Sequence, residues 1–146
     1  MIFWAFSLII AVFIFVMSAQ NSKSSSGMSG NVIRFIVDLV KGNLNETNKL
    51  DLVKNWQFFV RKAAHWSIYF ALGLFTVLAM LTYEISPWKR PAIAAGICLL
   101  YAVSDEVHQL FVPGRGGQIR DVLIDFFGAV TAIIIVLLIR KKRSVG

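Results

Sequence analysis

The chain has one cysteine, three prolines, eight acidic residues and no recognisable repeat, and each shortage excludes something. Cys98 has no partner for an intrachain disulfide, so no disulfide framework holds the fold. Set in an apolar run, it reads as a small buried hydrophobe. With few prolines, long helices can run unbroken. No serine or cysteine nucleophile motif is present. Charged residues make up only 16% of the sequence, against about 25% in soluble domains. The formal net charge of +7 does not point to nucleic acid, because no nucleic-acid motif accompanies it. Its positives are scattered or abut apolar segments, where anionic headgroups and membrane topology favour them.

Apolar side chains are abundant, at 57% of 146 residues with a mean hydropathy of +0.68. That composition points to a membrane, and the apolar runs predict an all-α, integral membrane four-helix bundle with crossings at about residues 2–19, 64–83, 91–112 and 122–139. The first run competes with a cleaved signal peptide. It has no basic n-region, and cleavage after Ala19 would put Met17 where a small residue is preferred, so a retained helix is the better reading. Pro91 suits the first turn of the third helix. The whole chain reads as a single domain.

Lysine and arginine set the orientation. The tail Arg140-Lys141-Lys142-Arg143 abuts the fourth helix and should be cytoplasmic. Four crossings then put the N-terminus inside, together with Lys89 and Arg90. The loop at 20–63 and the turn at 113–120 fall outside. This strains the rule, because that loop carries seven basic residues against three acids. Within it, residues 20–30 (QNSKSSSGMSG) are polar and read as extended or turn-like. Residues 31–41 read as a short amphipathic helix stopped by Gly42. A second amphipathic helix starts near Thr47 and runs into the membrane, with Leu52, Trp56, Phe59, Val60 and Ala63 at helical spacing.

Residues 101–125 stand out. Asp105, Glu106, Asp121 and Asp125, half of all the acids, sit there with His108, Gln109, Arg115 and Arg120 between membrane-length apolar runs. Ionised groups at membrane depth cost at least a few kcal/mol and usually face a bundle interior. Helical spacing aligns Asp105, His108 and Gln109 on one face, and Asp121, Asp125 and Gly128 on another. Arg61, Lys62, His65 and Tyr69 form a third set, and the turn Pro113-Gly114-Arg115-Gly116-Gly117 is a tight reversal or a nest of backbone N–H groups.

A purely structural account pairs Asp121 and Asp125 with Arg115 and Arg120, and Asp105 with Lys62. Three functional chemistries also fit. His65, Asp105 and His108 are candidate ligands for a divalent metal. Arg61, Lys62, Arg115 and Arg120 could clamp a phosphate or pyrophosphate, with Asp105, Glu106 or His108 as acid or base. Intramembrane acids and histidines could relay protons. Only the phosphate reading explains why the cations gather at the same membrane face as the acids.

Four segments carry a family resemblance: Y-A-V-S-D-E-V-H-Q-L-F-V-P-G-R at 101–115, D-V-L-I-D-F-F-G-A at 121–129, R-K-A-A-H-W-S-I-Y-F-A-L-G at 61–73 and M-S-A-Q at 17–20. They resemble the VanZ-like family of bacterial integral membrane proteins. The resemblance implies a four-helix protein of the cell envelope, with functional positions at Lys62, His65, Asp105, Glu106, His108, Gln109, Arg115, Asp121 and Asp125. The family's namesake is associated with resistance to teicoplanin, which acts on cell-wall precursors outside the membrane. The expected partners are therefore membrane lipids and a lipid-linked cell-wall precursor. Phe126 and Phe127 depart from the pattern, where a small or polar residue is expected.

Overall fold

Long proline-free apolar runs leave the backbone one way to satisfy its hydrogen bonds without water, which is the helix. The computed structural model describes residues 1–41 and 45–145, and every regular element among them is helical: α1 Ile2–Ser18, α2 Ser22–Lys41, α3 Glu46–Met80, α4 Lys89–Gln109 and α5 Ile119–Val145. Pro91 lies in the first turn of α4, as its missing N–H favours.

α3 and α5 are each long and apolar enough to cross a membrane. The other two expected crossings differ for separate reasons. α1 is apolar but has 17 residues, about 25 Å of helix against a hydrocarbon core of about 30 Å. α4 has the length, but Asp105, Glu106 and His108 interrupt its apolar run. Large apolar side chains face outward on all four helices, among them Leu8, Val12, Leu100, Phe127 and Leu138. A soluble domain rarely exposes such continuous apolar surface.

α1, α3, α4 and α5 alternate in direction. At one end of the bundle the Trp4 indole N–H donates to the Tyr83 hydroxyl at 2.9 Å, joining the start of α1 to the end of α3. At the other end the Ser18 hydroxyl donates to Asp105 Oδ2 at 2.9 Å, joining the ends of α1 and α4. α1 therefore begins, and α5 finishes, at the same end.

Two apolar clusters fill the interior. One gathers Ile14, Tyr69, Leu72, Cys98, Ala102 and Ala129, the other Val77, Met80, Ala94, Ile133 and Val136. Cys98 is fully buried, as the sequence predicts.

α3 and α5 share the most extensive contact, and glycine permits it. A Cβ on Gly128 would lie 2.3 Å from the Trp66 carbonyl oxygen, and one on Gly73 would lie 2.5 Å from the Ala129 carbonyl oxygen. Small residues allow this backbone-to-backbone approach in membrane bundles. Phe126 and Phe127 sit beside this seam, Phe126 half-buried and Phe127 exposed. With Trp66, Leu123 and Val130 they line a shallow apolar depression on the outer surface.

The loop between α1 and α3 departs from expectation. Residues 22–30 are not extended, because α2 starts at Ser22 and continues through the serine-rich stretch. Serine and glycine are weak helix formers, but packing on α3 overrides them. Gly30 lies against Val53, and the Gln57 amide donates to the Ser26 carbonyl at 2.5 Å. The expected stop at Gly42 lies outside the described residues. The second expected amphipathic segment is the first part of α3, continuous with the membrane helix.

Candidate functional site

The polar end of the bundle is assembled by three helix ends and one turn. α4 stops at Gln109, and Val112-Pro113-Gly114-Arg115 reverses the chain. The Arg115 N–H donates to the Val112 carbonyl at 3.1 Å, and Gly114 has φ 75°. Proline at the second position and a positive-φ glycine at the third form a type II turn. Gly117 then passes close to Leu110, where a Cβ would lie 2.7 Å from a side-chain methyl. The result is a tight reversal that sets Arg115 against the bundle.

The close seam between α3 and α5 sets which charges meet. The Lys62 ammonium pairs with Asp121 Oδ1, both side chains being largely buried. One turn deeper, His65 Nδ1 faces Asp125 Oδ1 at 3.6 Å. Asp125 is 1% exposed, and neither of its carboxylate oxygens has a hydrogen-bond partner among the described residues. The partners in the purely structural account were therefore mismatched: Lys62 takes Asp121 rather than Asp105, and Asp125 meets His65 rather than an arginine. Arg120 is exposed in the first turn of α5, and no ion pair joins it to the cluster among the described residues.

Asp105 belongs to a separate network between α1 and α4. Its Oδ2 accepts from the Ser18 hydroxyl and, at 3.1 Å, from the Gln109 amide, which also reaches Ser18 Oγ at 3.4 Å. Glu106 Oε1 accepts the Gln118 backbone N–H at 2.6 Å, tying α4 to the segment before α5. His108 stacks on Phe15 of α1 with ring centroids 4.5 Å apart. The three metal candidates therefore do not converge: His65 faces α5, Asp105 faces Ser18, and His108 packs on α1. Among the described residues no three His, Cys, Asp or Glu side chains stand as a metal-binding group.

Beside these networks lies a cavity of about 400 Å³ between α1, α2, α3 and the reversal. Its walls are apolar, with Phe13, Ile14 and Met17 from α1, Val32 from α2, and Val60 and Ile68 from α3. Its polar lining includes Arg61, His65 and Arg115. Burial, and then the charge of Arg61, hold the Arg115 guanidinium below its ordinary value, while Asp105, Glu106 and Asp121 act the other way. Two cationic groups thus share a partly desolvated space with an apolar wall. Asp105, Glu106 and His108 do not line this cavity.

Two wall residues connect the cavity to the buried acids. Ser18 lines it and donates to Asp105, and His65 lines it and faces Asp125. Ser18 and the α2 wall escape a reading based on charge alone. The only sequence signal for Ser18 is a serine ending an apolar helix within the M-S-A-Q segment.

No curated protein and no solved structure matches the chain. A family model does, VanZ/LLP1, over residues 3–140. That span takes in α1, the reversal and the whole charged cluster, and the chain belongs to the VanZ/LLP1 family.

Proposed function

We propose that this protein is a multi-pass protein of the bacterial cytoplasmic membrane, with both termini inside, that holds an anionic lipid-linked group in the α1–α2–α3 cavity. The observation that carries the reading is the cavity's division into an apolar wall and a cationic region of Arg61 and Arg115. An amphiphile has the same division: a hydrocarbon tail suits the wall, and a phosphate suits two guanidiniums, which bind it through charge-assisted hydrogen bonds. The basic tail at 140–143 supports a cytoplasmic assignment for the end where α1 begins and α5 finishes. The cavity then opens toward the outer leaflet. An outward-facing site for a lipid-linked cell-wall precursor also fits the glycopeptide resistance associated with the family's namesake.

The contacts favour a structural role for the other charges. Lys62 pairs with Asp121, and Asp105 accepts from Ser18 and Gln109 through Oδ2, contacts that join helices at the polar end, although Asp105 Oδ1 is buried without a partner among the described residues. Binding then falls to Arg61 and Arg115.

The test is equilibrium binding of an isoprenyl monophosphate, against the matching isoprenyl alcohol, to the full chain in lipid nanodiscs. A charge-assisted hydrogen bond contributes about 1.5–3 kcal/mol, so Arg61→Ala and Arg115→Ala should each weaken phosphate binding about 10- to 100-fold. Alcohol binding should barely change. Equal affinity of the wild type for phosphate and alcohol would remove the proposal.

A further inference from the structure

Resting on the binding site just described, we propose that His65 and Asp125 form a catalytic dyad that hydrolyses the terminal phosphate of a lipid diphosphate held by Arg61 and Arg115. Three observations meet at this point. His65 turns Nδ1 toward Asp125, which leaves the other ring nitrogen, Nε2, uncommitted to that carboxylate, and His65 lines the cavity. Asp125 is almost wholly buried, its oxygens have no hydrogen-bond partner among the described residues, and the basic group that faces it in the described contacts is His65, 3.6 Å away. A carboxylate behind one histidine nitrogen fixes the ring and stabilises the imidazolium formed when the other nitrogen takes a proton. Arg61 lies one helical turn before His65 on the same face of α3, and Arg115 reaches the same cavity from the reversal.

The chemistry is balanced with water as the only co-reactant. His65 Nε2 takes a proton from a water molecule as its oxygen attacks the terminal phosphorus. The bond from that phosphorus to the bridging oxygen breaks, and the bridging oxygen leaves on the lipid monophosphate. Inorganic phosphate is released, and the imidazolium returns its proton to solvent. A diphosphate has two anionic groups, and a loose phosphoryl-transfer transition state spreads charge over the transferred group and the leaving oxygen. Two guanidiniums supply one cation for each. His65, a quarter exposed, is accessible to the attacking water.

The sequence reading gave acid/base work to Asp105, Glu106 and His108. His65 does it in this proposal because it reaches the cavity and has an uncommitted carboxylate behind it. Asp125 is a positioning residue.

The test separates binding from turnover. Full-length protein in nanodiscs is given an isoprenyl diphosphate or a diacylglycerol diphosphate, and phosphate release and lipid binding are both measured. The wild type should release phosphate from at least one, which identifies the tail. His65→Gln should lower kcat about 10²- to 10⁴-fold, the usual contribution of a general base, with KM and binding nearly unchanged. Asp125→Asn should also lower kcat rather than raise KM, and the double variant should be no slower than His65→Gln, as for groups acting as a unit. Retained binding shows that each variant is folded. Binding without phosphate release by the wild type overturns the dyad and leaves the binding site standing, as does wild-type turnover by His65→Gln. Absence of binding by the wild type overturns both.

Discussion

Replacing Gly128 with alanine tests the fold where it positions the charged residues. The new Cβ would sit 2.3 Å from the Trp66 carbonyl oxygen and 3.3 Å from the Phe70 backbone nitrogen. Real Cβ contacts do not fall below 3.0 Å, so α3 and α5 must separate locally by about 0.7 Å. The obstacle is backbone, which cannot swing aside as a side chain can. Overpacking of this kind costs about 1–3 kcal/mol, and a backbone obstacle puts it at the upper end. Alanine returns about 1 kcal/mol through its better helix propensity. The net loss of about 2 kcal/mol lowers the apparent Tm by about 4–8 °C. Gly96→Ala is the control, because nothing lies within 4 Å of a Cβ there and only the helix gain remains. Its Tm should rise by about 2–4 °C. The assay is thermal unfolding of both variants in one detergent, followed by intrinsic fluorescence. If Gly128→Ala rises like Gly96→Ala, the close seam that brings His65 to Asp125 is refuted.

Further outcomes follow from the same contacts. Ser18→Ala removes one of two donors to the buried Asp105 carboxylate and should cost about 1–3 kcal/mol in denaturant unfolding, whereas Ser104→Ala, exposed on α4, should cost little. Lys62→Ala and Asp121→Ala should each destabilise by more than the roughly 1 kcal/mol of an exposed pair, and the double variant should be no worse than either single, measured as a double-mutant cycle. Gly114→Ala forces a side chain onto a backbone with φ 75° and should cost about 1 kcal/mol by the same unfolding assay. In a Cys98→Ser background, a membrane-impermeant thiol reagent on intact cells should label Gly116→Cys and spare Ser86→Cys, and the reverse pattern would invert the proposed orientation.

Helix identity was legible because it depends on runs of like residues. The stretches around Leu8, Val77, Cys98 and Ile133 each announce a helix, and Pro91 marks a start. The grouping of Arg61, Lys62 and His65 on one face was legible from spacing. Which charge meets which was not. Periodicity fixes the face of a helix, but the axial register between two helices depends on how closely their backbones approach. Here Gly73 and Gly128 set that register, which delivers Lys62 to Asp121 and His65 to Asp125. The serine-rich start of α2 was misread for a related reason. Its local propensity is poor, and its helix depends on α3, a contact between residues 31 positions apart. The cavity was invisible in sequence because its wall is drawn from three helices, and the residues in that wall look like ordinary membrane-helix side chains.

The account's central claim is that an anionic lipid occupies the cavity near Arg61 and Arg115. The most direct measurement is photocrosslinking of the full chain in nanodiscs with an isoprenyl phosphate bearing a diazirine on its tail, followed by peptide mapping. The account predicts labelling concentrated on Met17, Val32, Val60 and Ile68, competed by unlabelled isoprenyl phosphate and lost in Arg61→Ala. Labelling spread evenly over outward apolar faces such as Leu123 and Phe127, and insensitive to competitor, would contradict it.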